Sequence, residues 1–182
     1  MPVTQSDIAP LTDAALWGYL EKAKTMRLAT VTGRQAIEVS PIWFVVRLET
    51  IYFPIDPTVG DPGRAATPAS RHLPVLDSNK GRVSAVIDDG EDLTNFRGVQ
   101  LAGKASAVEN SNLTEELLDL VLEKYFYIGH PHLEHYLSRG AVELRRWFCL
   151  VPDRIDGWDR RLLPQPPILE RRILPPHLRG ND

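Results

Sequence analysis

The side chains best able to bind a phosphorylated ligand are close together in the stretch "SRH", Ser70 to His72. Serine offers a hydroxyl, arginine a planar pair of donors and histidine a further donor, and together these can satisfy phosphate oxygens. Arg64 precedes them in the same Pro- and Gly-rich loop and can add a second cation. The competing interpretation is a solvated, capped turn, and spacing alone favours that interpretation.

A second group, "HPHLEH", places three imidazoles and a carboxylate between His130 and His135. Imidazole and carboxylate groups bind zinc and iron, so a metal site is one interpretation. The spacing matches no zinc motif, and Pro131 is typical of a helix start. We therefore expect a solvated helix end and no metal.

The usual catalytic and nucleotide-binding motifs are missing from the sequence. It contains no glycine-rich phosphate loop, no G-x-S-x-G and no C-x-x-C. Cys149 lies in the apolar run "WFCLV", which indicates a core position. Trp43 and Trp158 are the aromatic residues most able to contact a flat ligand, although packing in the core is the commoner role. We assign no catalytic residue.

These side chains have to be positioned by a mainly β domain. Six segments alternate or are rich in β-branched residues, and they predict strands: "MRLATVT", "AIEVSPIWFVVRL", "TIYFPI", "RVSAVID", "FRGVQLAGKASAVE" and "AVELRRWFCLVP". Helical spacing predicts "DAALWGYLEKAK", capped by Thr12, and "TEELLDLVLEKYF", with a short third helix after Ser70. The pattern is that of a six-stranded antiparallel barrel with two or three peripheral helices. Residues 1–159 form this domain, and residues 160–182 form a Pro-rich arm.

Composition narrows the possible partners. The chain has 182 residues, 43% of them hydrophobic, and a net charge of −3, which gives no reason to expect nucleic acid. A single cysteine excludes an internal disulfide and suits a reducing compartment. No apolar run approaches the length of a membrane span, and the N-terminus does not resemble a signal peptide. We expect a cytoplasmic protein that does not bind membranes.

One residue conflicts with this pattern. Pro41 lies inside "EVSPIWFVV", one of the best strands, although proline cannot donate to a sheet ladder. Such a proline is expected only at a sheet edge or a bulge.

In order along the chain, "RLATV", "VSPIWFVV", "IYF", "SRH", "RVSAVIDDG", "RGVQLAGKASAV" and a helix ending in "EKYF" resemble one family. It is the pyridoxamine 5'-phosphate oxidase-like split barrel, and the resemblance covers Met26 to Asp159. It implies a homodimer with a flavin in each of two clefts at the subunit interface. Pro41 would then be a feature of the ligand site that holds the backbone rigid against a planar ring.

The resemblance also implies which residues bind the cofactor. Val39, Ser40, Pro41, Ile42 and Trp43 would run beside the flavin ring and ribityl chain. The residues that would bind the phosphate are Arg64, Ser70, Arg71 and His72, where His72 replaces a common lysine. Gly98 and Gln100 lie on the fifth strand, which would face the ring, and Trp158 would lie near the cleft.

The function implied by this resemblance is an FMN- or deazaflavin-dependent oxidoreductase that acts on a small organic substrate. The chain lacks the C-terminal arginine and histidine pattern of pyridoxamine 5'-phosphate oxidase itself. An alternative from another class is a non-enzymatic barrel that holds haem or flavin, with His72 or the "HPHLEH" group as an iron ligand. A barrel with an empty cleft is a third possibility.

Overall fold

The computed structural model describes residues 10–33, 35–56, 68–78, 82–91 and 95–163. Its strands are β1 (Met26–Val31), β2 (Ile37–Ile42), β3 (Val45–Arg47), β4 (Thr50–Ile55), β5 (Arg82–Asp89), β6 (Arg97–Ala107) and β7 (Arg146–Asp159). Its helices are α1 (Asp13–Lys22), α2 (Leu73–Asp77), α3 (Ser111–Tyr125), α4 (Leu133–Tyr136) and α5 (Arg139–Leu144), with 3-10 turns at Pro68–His72 and Arg160–Leu162. Within these ranges no helix is long and apolar enough to cross a membrane.

The strands form one antiparallel sheet in the order β2-β1-β5-β6-β7-β4-β3. Its two edge strands, β2 and β3, are separated in the chain only by Trp43 and Phe44. Two residues cannot span seven strands laid flat, so the sheet curls until its edges approach each other. The result is a mainly β half-barrel with peripheral helices, which agrees with the predicted split barrel.

The strand count differs from the prediction because "AIEVSPIWFVVRL" is two strands. β2 pairs with β1, whereas β3 pairs with β4 at the opposite edge. At the break, the Phe44 backbone is bonded by a side chain: its N–H donates to the Tyr125 hydroxyl at 2.9 Å, and its carbonyl accepts from that hydroxyl at 2.8 Å. The apolar run continues through the break because Phe44 is fully buried.

The predicted sixth strand, "AVELRRWFCLVP", is also wrong at both ends. Its first residues lie in α5, and the strand begins at Arg146 and continues past Pro152 to Asp159. Pro152 is accommodated because the register between β6 and β7 shifts at Ala102 and Gly103, a bulge where no regular ladder bond is needed. Residues 152–159 are therefore strand, whereas most of the predicted arm, 164–182, lies outside the described residues.

The core lies on the concave side of the sheet, where alternate strand residues are buried against α1 and α2. Thr12 caps α1 as predicted, accepting a bond from the Ala15 N–H at 3.4 Å. A smaller apolar cluster joins α3 to β3 and β7 through Leu117, Val45 and Trp147. The opposite side of β1, β2, β5 and β6 carries the more exposed residues of each strand. We call that side the outer face.

Candidate functional site

The edge strand β2 divides the predicted ring-binding residues between the two sides of the sheet. Ile37, Val39 and Pro41 are exposed on the outer face, whereas Ser40 and Ile42 are buried in the core. A ligand on the outer face could reach Ser40 and Ile42 only through their backbone. The exposed positions are apolar, which suits a flat organic ring better than water.

Pro41 lies opposite Arg27 of β1, and within the described residues no strand pairs with its other side. The missing N–H therefore interrupts no second ladder, which is where a proline is tolerated in a sheet. The prediction of an edge position is confirmed. A role for Pro41 against a ligand stays a prediction.

The predicted phosphate-binding residues lie in the Pro68–His72 turn, which packs against β2. Arg71 extends from it with 62% of its side chain exposed, and its Nη1 is 3.7 Å from Oε2 of Glu38 on β2. That distance exceeds a normal hydrogen bond, so the guanidinium keeps donors for another anion. Ser70 precedes it and is half-buried. Arg64 lies outside the described residues.

His72, from the same turn, is directed into the core. It is completely buried, and its Nδ1 lies 2.8 Å from the Thr30 hydroxyl of β1. Its Nε2 is buried with no partner among the described residues. Burial lowers the pKa of His72, an effect that the Glu38 carboxylate partly opposes. A direct contact between His72 and a phosphate stays a prediction, and the structure shows His72 held against β1 in the core.

Gly98, Gln100 and Trp158 form a second group on the outer face. Gly98 pairs with Trp158 on β7, and a Cβ at Gly98 would lie 2.6 Å from Cζ2 of that indole. The absence of a side chain thus lets the indole lie directly on β6, and the indole N–H is buried with no partner among the described residues. Gln100 is exposed.

This second group is separated from β2 within one chain. The register places Pro41, Arg27, Val86 and Gln100 in one row across four neighbouring strands. Three strand spacings amount to about 14 Å. One chain therefore presents the two groups as separate patches of the same face.

Trp43 belongs to an aromatic cluster that the sequence did not reveal. Its ring stacks on Tyr125 with centroids 4.6 Å apart, and it also contacts Phe126 and Tyr136. These four residues, the aromatic cluster, come from the β2–β3 break, the end of α3 and α4. The indole remains 39% exposed, so it can still meet a ligand beside Pro41. The helical spacing of Tyr125 indicated burial, but nothing in the sequence indicated its partner.

Lys124 is a second residue that sequence reasoning missed. Its amine donates to the Phe44 carbonyl at 3.0 Å and lies 4.0 Å from the centre of the Phe44 ring. The nearby Lys24 amine donates to the Lys124 carbonyl. Burial, and then the charge of Lys24, lower the pKa of Lys124 from 10.5 to about 8. The two lysines join α1 to the end of α3 beside the break in the sheet.

The "HPHLEH" histidines lie in the chain between α3 and α4 and in α4 itself. Nδ1 of His130 accepts a bond from the His132 N–H at 3.2 Å, and its ring packs edge-on against Phe126. Within the described ranges no group of three His, Cys, Asp or Glu residues could hold a metal ion.

Cys149 is half-buried on β7 and not in the core as expected.

Comparison with known proteins gives one family match. The model of the family described as pyridoxamine 5'-phosphate oxidase matches residues 12–159. No curated protein matches the chain.

Solved structures share the fold at low identity. A conserved hypothetical protein from Mycobacterium tuberculosis, Rv2991, is 21% identical, with a TM-score of 0.68 over 92% of this chain and 96% of that one. The FAD binding protein from Mycobacterium smegmatis is 19% identical, with a TM-score of 0.52 over 82% and 95%. The haem storage protein HutZ from Vibrio cholerae is 20% identical, with a TM-score of 0.59 over 82% and 97%. At these identities the likeness concerns the fold alone.

Proposed function

The chain belongs to the pyridoxamine 5'-phosphate oxidase family, and from that membership we propose that it is a cytoplasmic flavin-dependent oxidoreductase. It binds FMN or, as the alternative cofactor, an 8-hydroxy-5-deazaflavin coenzyme. It passes hydride or electrons between that cofactor and a small organic substrate. Among the solved structures that share its fold is one named for binding FAD, which supports a flavin.

The observation that carries this proposal is the placement of one cation beside one apolar edge. Val39 and Pro41 are exposed on β2, and the turn that packs against the same strand presents Arg71 to solvent. An FMN molecule has the same two parts, an apolar ring system and a phosphate of nearly two negative charges. Both parts can therefore be met along one strand.

The described residues fit the phosphate as well as the ring. A phosphate buried in a cleft needs charge-assisted donors, and the Arg71 guanidinium with the Ser70 hydroxyl can supply them. The weak contact of Arg71 with Glu38 at 3.7 Å does not occupy the guanidinium.

In this proposal the bound flavin supplies the redox chemistry, accepting or giving a hydride at its ring. The protein binds and orients it. Arg71 and Ser70 fix the phosphate, the rigid backbone at Pro41 sets the height of the ring, and the aromatic cluster around Trp43 keeps water from its edge. We assign no acid or base to a side chain.

We further propose a homodimer, because one chain leaves the cleft without a second wall. Val31, Ile37 and Val39 are each more than half exposed on the outer face. In one chain the group around Gln100 lies about 14 Å from Pro41, which is too far to close over the same ring. A second copy packed on the outer face would cover the apolar residues and bring its own Gln100 group towards β2. A stable interface of this kind exceeds about 2,000 Å².

The test is the identity of whatever the purified protein holds. We expect a yellow protein whose visible bands resemble those of free flavin, and mass spectrometry of the released ligand giving FMN or a deazaflavin. Protein purified without ligand is titrated with FMN, riboflavin, deazaflavin and haem. A red protein with a Soret band that disappears in His130→Gln would replace this proposal with the haem alternative. Failure to bind any flavin would overturn it.

A further inference from the structure

We propose that His72 is a positioning residue whose neutral imidazole fixes the Pro68–His72 turn, so that acidification releases the phosphate end of the ligand. The inference rests on the proposed function, since it concerns the phosphate site of that function. It assigns His72 a role different from direct contact: the side chain acts through the turn that carries Ser70 and Arg71.

The inference is based on a series of contacts that joins the Pro68–His72 turn to β1 and β2. His72 Nδ1 lies 2.8 Å from the Thr30 hydroxyl on β1. Thr30 is directly opposite Glu38 on β2. Glu38 in turn lies 3.7 Å from Arg71, the neighbour of His72 in the chain. The histidine therefore fixes the turn to β1 while its exposed neighbour stays over the edge of β2.

These contacts are stable only while the imidazole is neutral. A neutral ring needs one bond to Thr30 and leaves its other nitrogen, Nε2, buried with no partner among the described residues. In either neutral tautomer Nε2 has no partner among the described residues, and protonation would add a positive charge to this buried ring and make both of its nitrogens donors, which is costly. The charged ring would gain by leaving the core, and the turn with Arg71 would move with it.

The charges around the ring give the sign of the pH effect. Burial lowers the pKa of His72 below 6.5, and Glu38 on β2 opposes this shift without reversing it. The other charged groups on the turn and on α2 are Arg71, which is positive, and Asp77, whose carboxylate is already paired with Arg146. Neither opposes the lowered pKa of His72. A histidine with a lowered pKa stabilises the fold above the unfolded value and loses this contribution as the pH falls through the folded value. Acid therefore favours the displaced turn.

The experiment measures phosphate discrimination, the ratio of the riboflavin dissociation constant to the FMN dissociation constant. Both are obtained by fluorescence titration of the intact chain between pH 8 and pH 5. The FMN phosphate itself takes up a proton near pH 6, so the ratio falls somewhat in any variant. His72→Asn is the matched control for this fall, because its amide can replace Nδ1 towards Thr30 and does not titrate.

We expect the wild-type ratio to fall about tenfold more than the His72→Asn ratio between pH 8 and pH 5. Thr30→Val keeps the side-chain shape and removes the hydroxyl, and should lower discrimination at pH 8 about three- to tenfold, the range for one hydrogen bond. Thr30→Ser restores the hydroxyl and should recover it. Leu117→Ala, a cavity variant in the other core cluster, controls for general loss of stability and should leave the ratio unchanged.

The outcomes separate the two proposals. If wild type binds neither flavin at any pH, the proposed function falls and this inference falls with it. If wild type discriminates but His72→Asn shows the same pH profile, or Thr30→Val discriminates fully, the inference alone is overturned. If Thr30→Val does not fold, the comparison of wild type with His72→Asn decides the matter by itself.

Discussion

Replacing Arg71 should weaken FMN binding and leave riboflavin binding unchanged. Arg71→Ala removes the exposed cation of the turn that packs against the edge strand β2. A hydrogen bond to a charged group contributes about 1.5–3 kcal/mol, which corresponds to a roughly 10- to 150-fold rise in the FMN dissociation constant. Riboflavin carries no phosphate and should bind wild type and variant equally. Arg71→Lys should recover only part of the loss, because lysine keeps the charge but not the planar pair of donors.

The carboxylate beside Arg71 should have the opposite effect. Glu38 lies 3.7 Å from the guanidinium and its side chain is 29% exposed, so it competes weakly with a phosphate for the same cation. Partly exposed ion pairs of this kind contribute up to about 1 kcal/mol. Glu38→Gln should therefore tighten FMN by no more than about fivefold, again without changing riboflavin.

The assay is the same fluorescence titration with both flavins at pH 8, and Arg47→Ala is the matched control. Arg47 is a half-exposed arginine on β3 that is likewise paired with one glutamate, Glu116, at 2.9 Å. Its removal should change neither flavin. A parallel loss of riboflavin affinity in Arg71→Ala would show that Arg71 supports the fold and not the phosphate. No change for either flavin would place the phosphate elsewhere in the loop, with Arg64 as the next residue to replace.

Three further predictions concern other parts of the molecule. Ile37→Glu puts a charge on the apolar outer face and should convert a dimer into monomers of 20.5 kDa by light scattering; a monomeric wild type would contradict the proposed dimer. Gly98→Val places a Cβ 2.6 Å from the Trp158 ring and should lower the free energy of unfolding by about 1–3 kcal/mol in urea, and an unchanged midpoint would refute this clash. The pKa of Lys124 is lowered from 10.5 to about 8, so the folded chain releases its proton first and gains stability as the pH rises from 8 towards 10.5. Lys124→Met should abolish this rise, measured by urea unfolding at both ends of the interval, and a rise of the same size in the variant would disprove it.

The local alternation of apolar and polar residues was enough to predict most strands, because that alternation follows which face of a strand meets the core. It could not predict that "AIEVSPIWFVVRL" divides at Trp43. The residues on either side are equally apolar, and the division arises only when the curled sheet sends β3 to the far edge. The segment before Arg146 was ambiguous for a related reason. The four residues of "AVEL" are too few to show whether their apolar positions repeat with the period of a helix or of a strand, and the structure places them in α5.

The candidate site was predictable to the extent that residue type decides it. Arg71 is long, charged and in a loop, and the structure does leave it exposed. His72 has an equally suitable side chain, but whether an imidazole faces a ligand or the core depends on what packs beneath the turn. Thr30 is 42 residues away in the chain, and no local pattern connects it to His72. Long-range contacts of this kind also produced the aromatic cluster around Trp43.

The position of β7 in the sheet has a consequence for how the chain is made. It is the last strand among the described residues, yet it lies between β6 and β4, and its pairing with β4 joins Ile51 to Leu150. A chain emerging from the ribosome therefore carries two open strand edges, on β4 and on β6, until Arg146–Asp159 has been synthesised. Contacts between residues so distant in sequence form slowly, and unpaired apolar edges are where nascent chains aggregate. Any chain that ends before Arg146 keeps both edges open permanently.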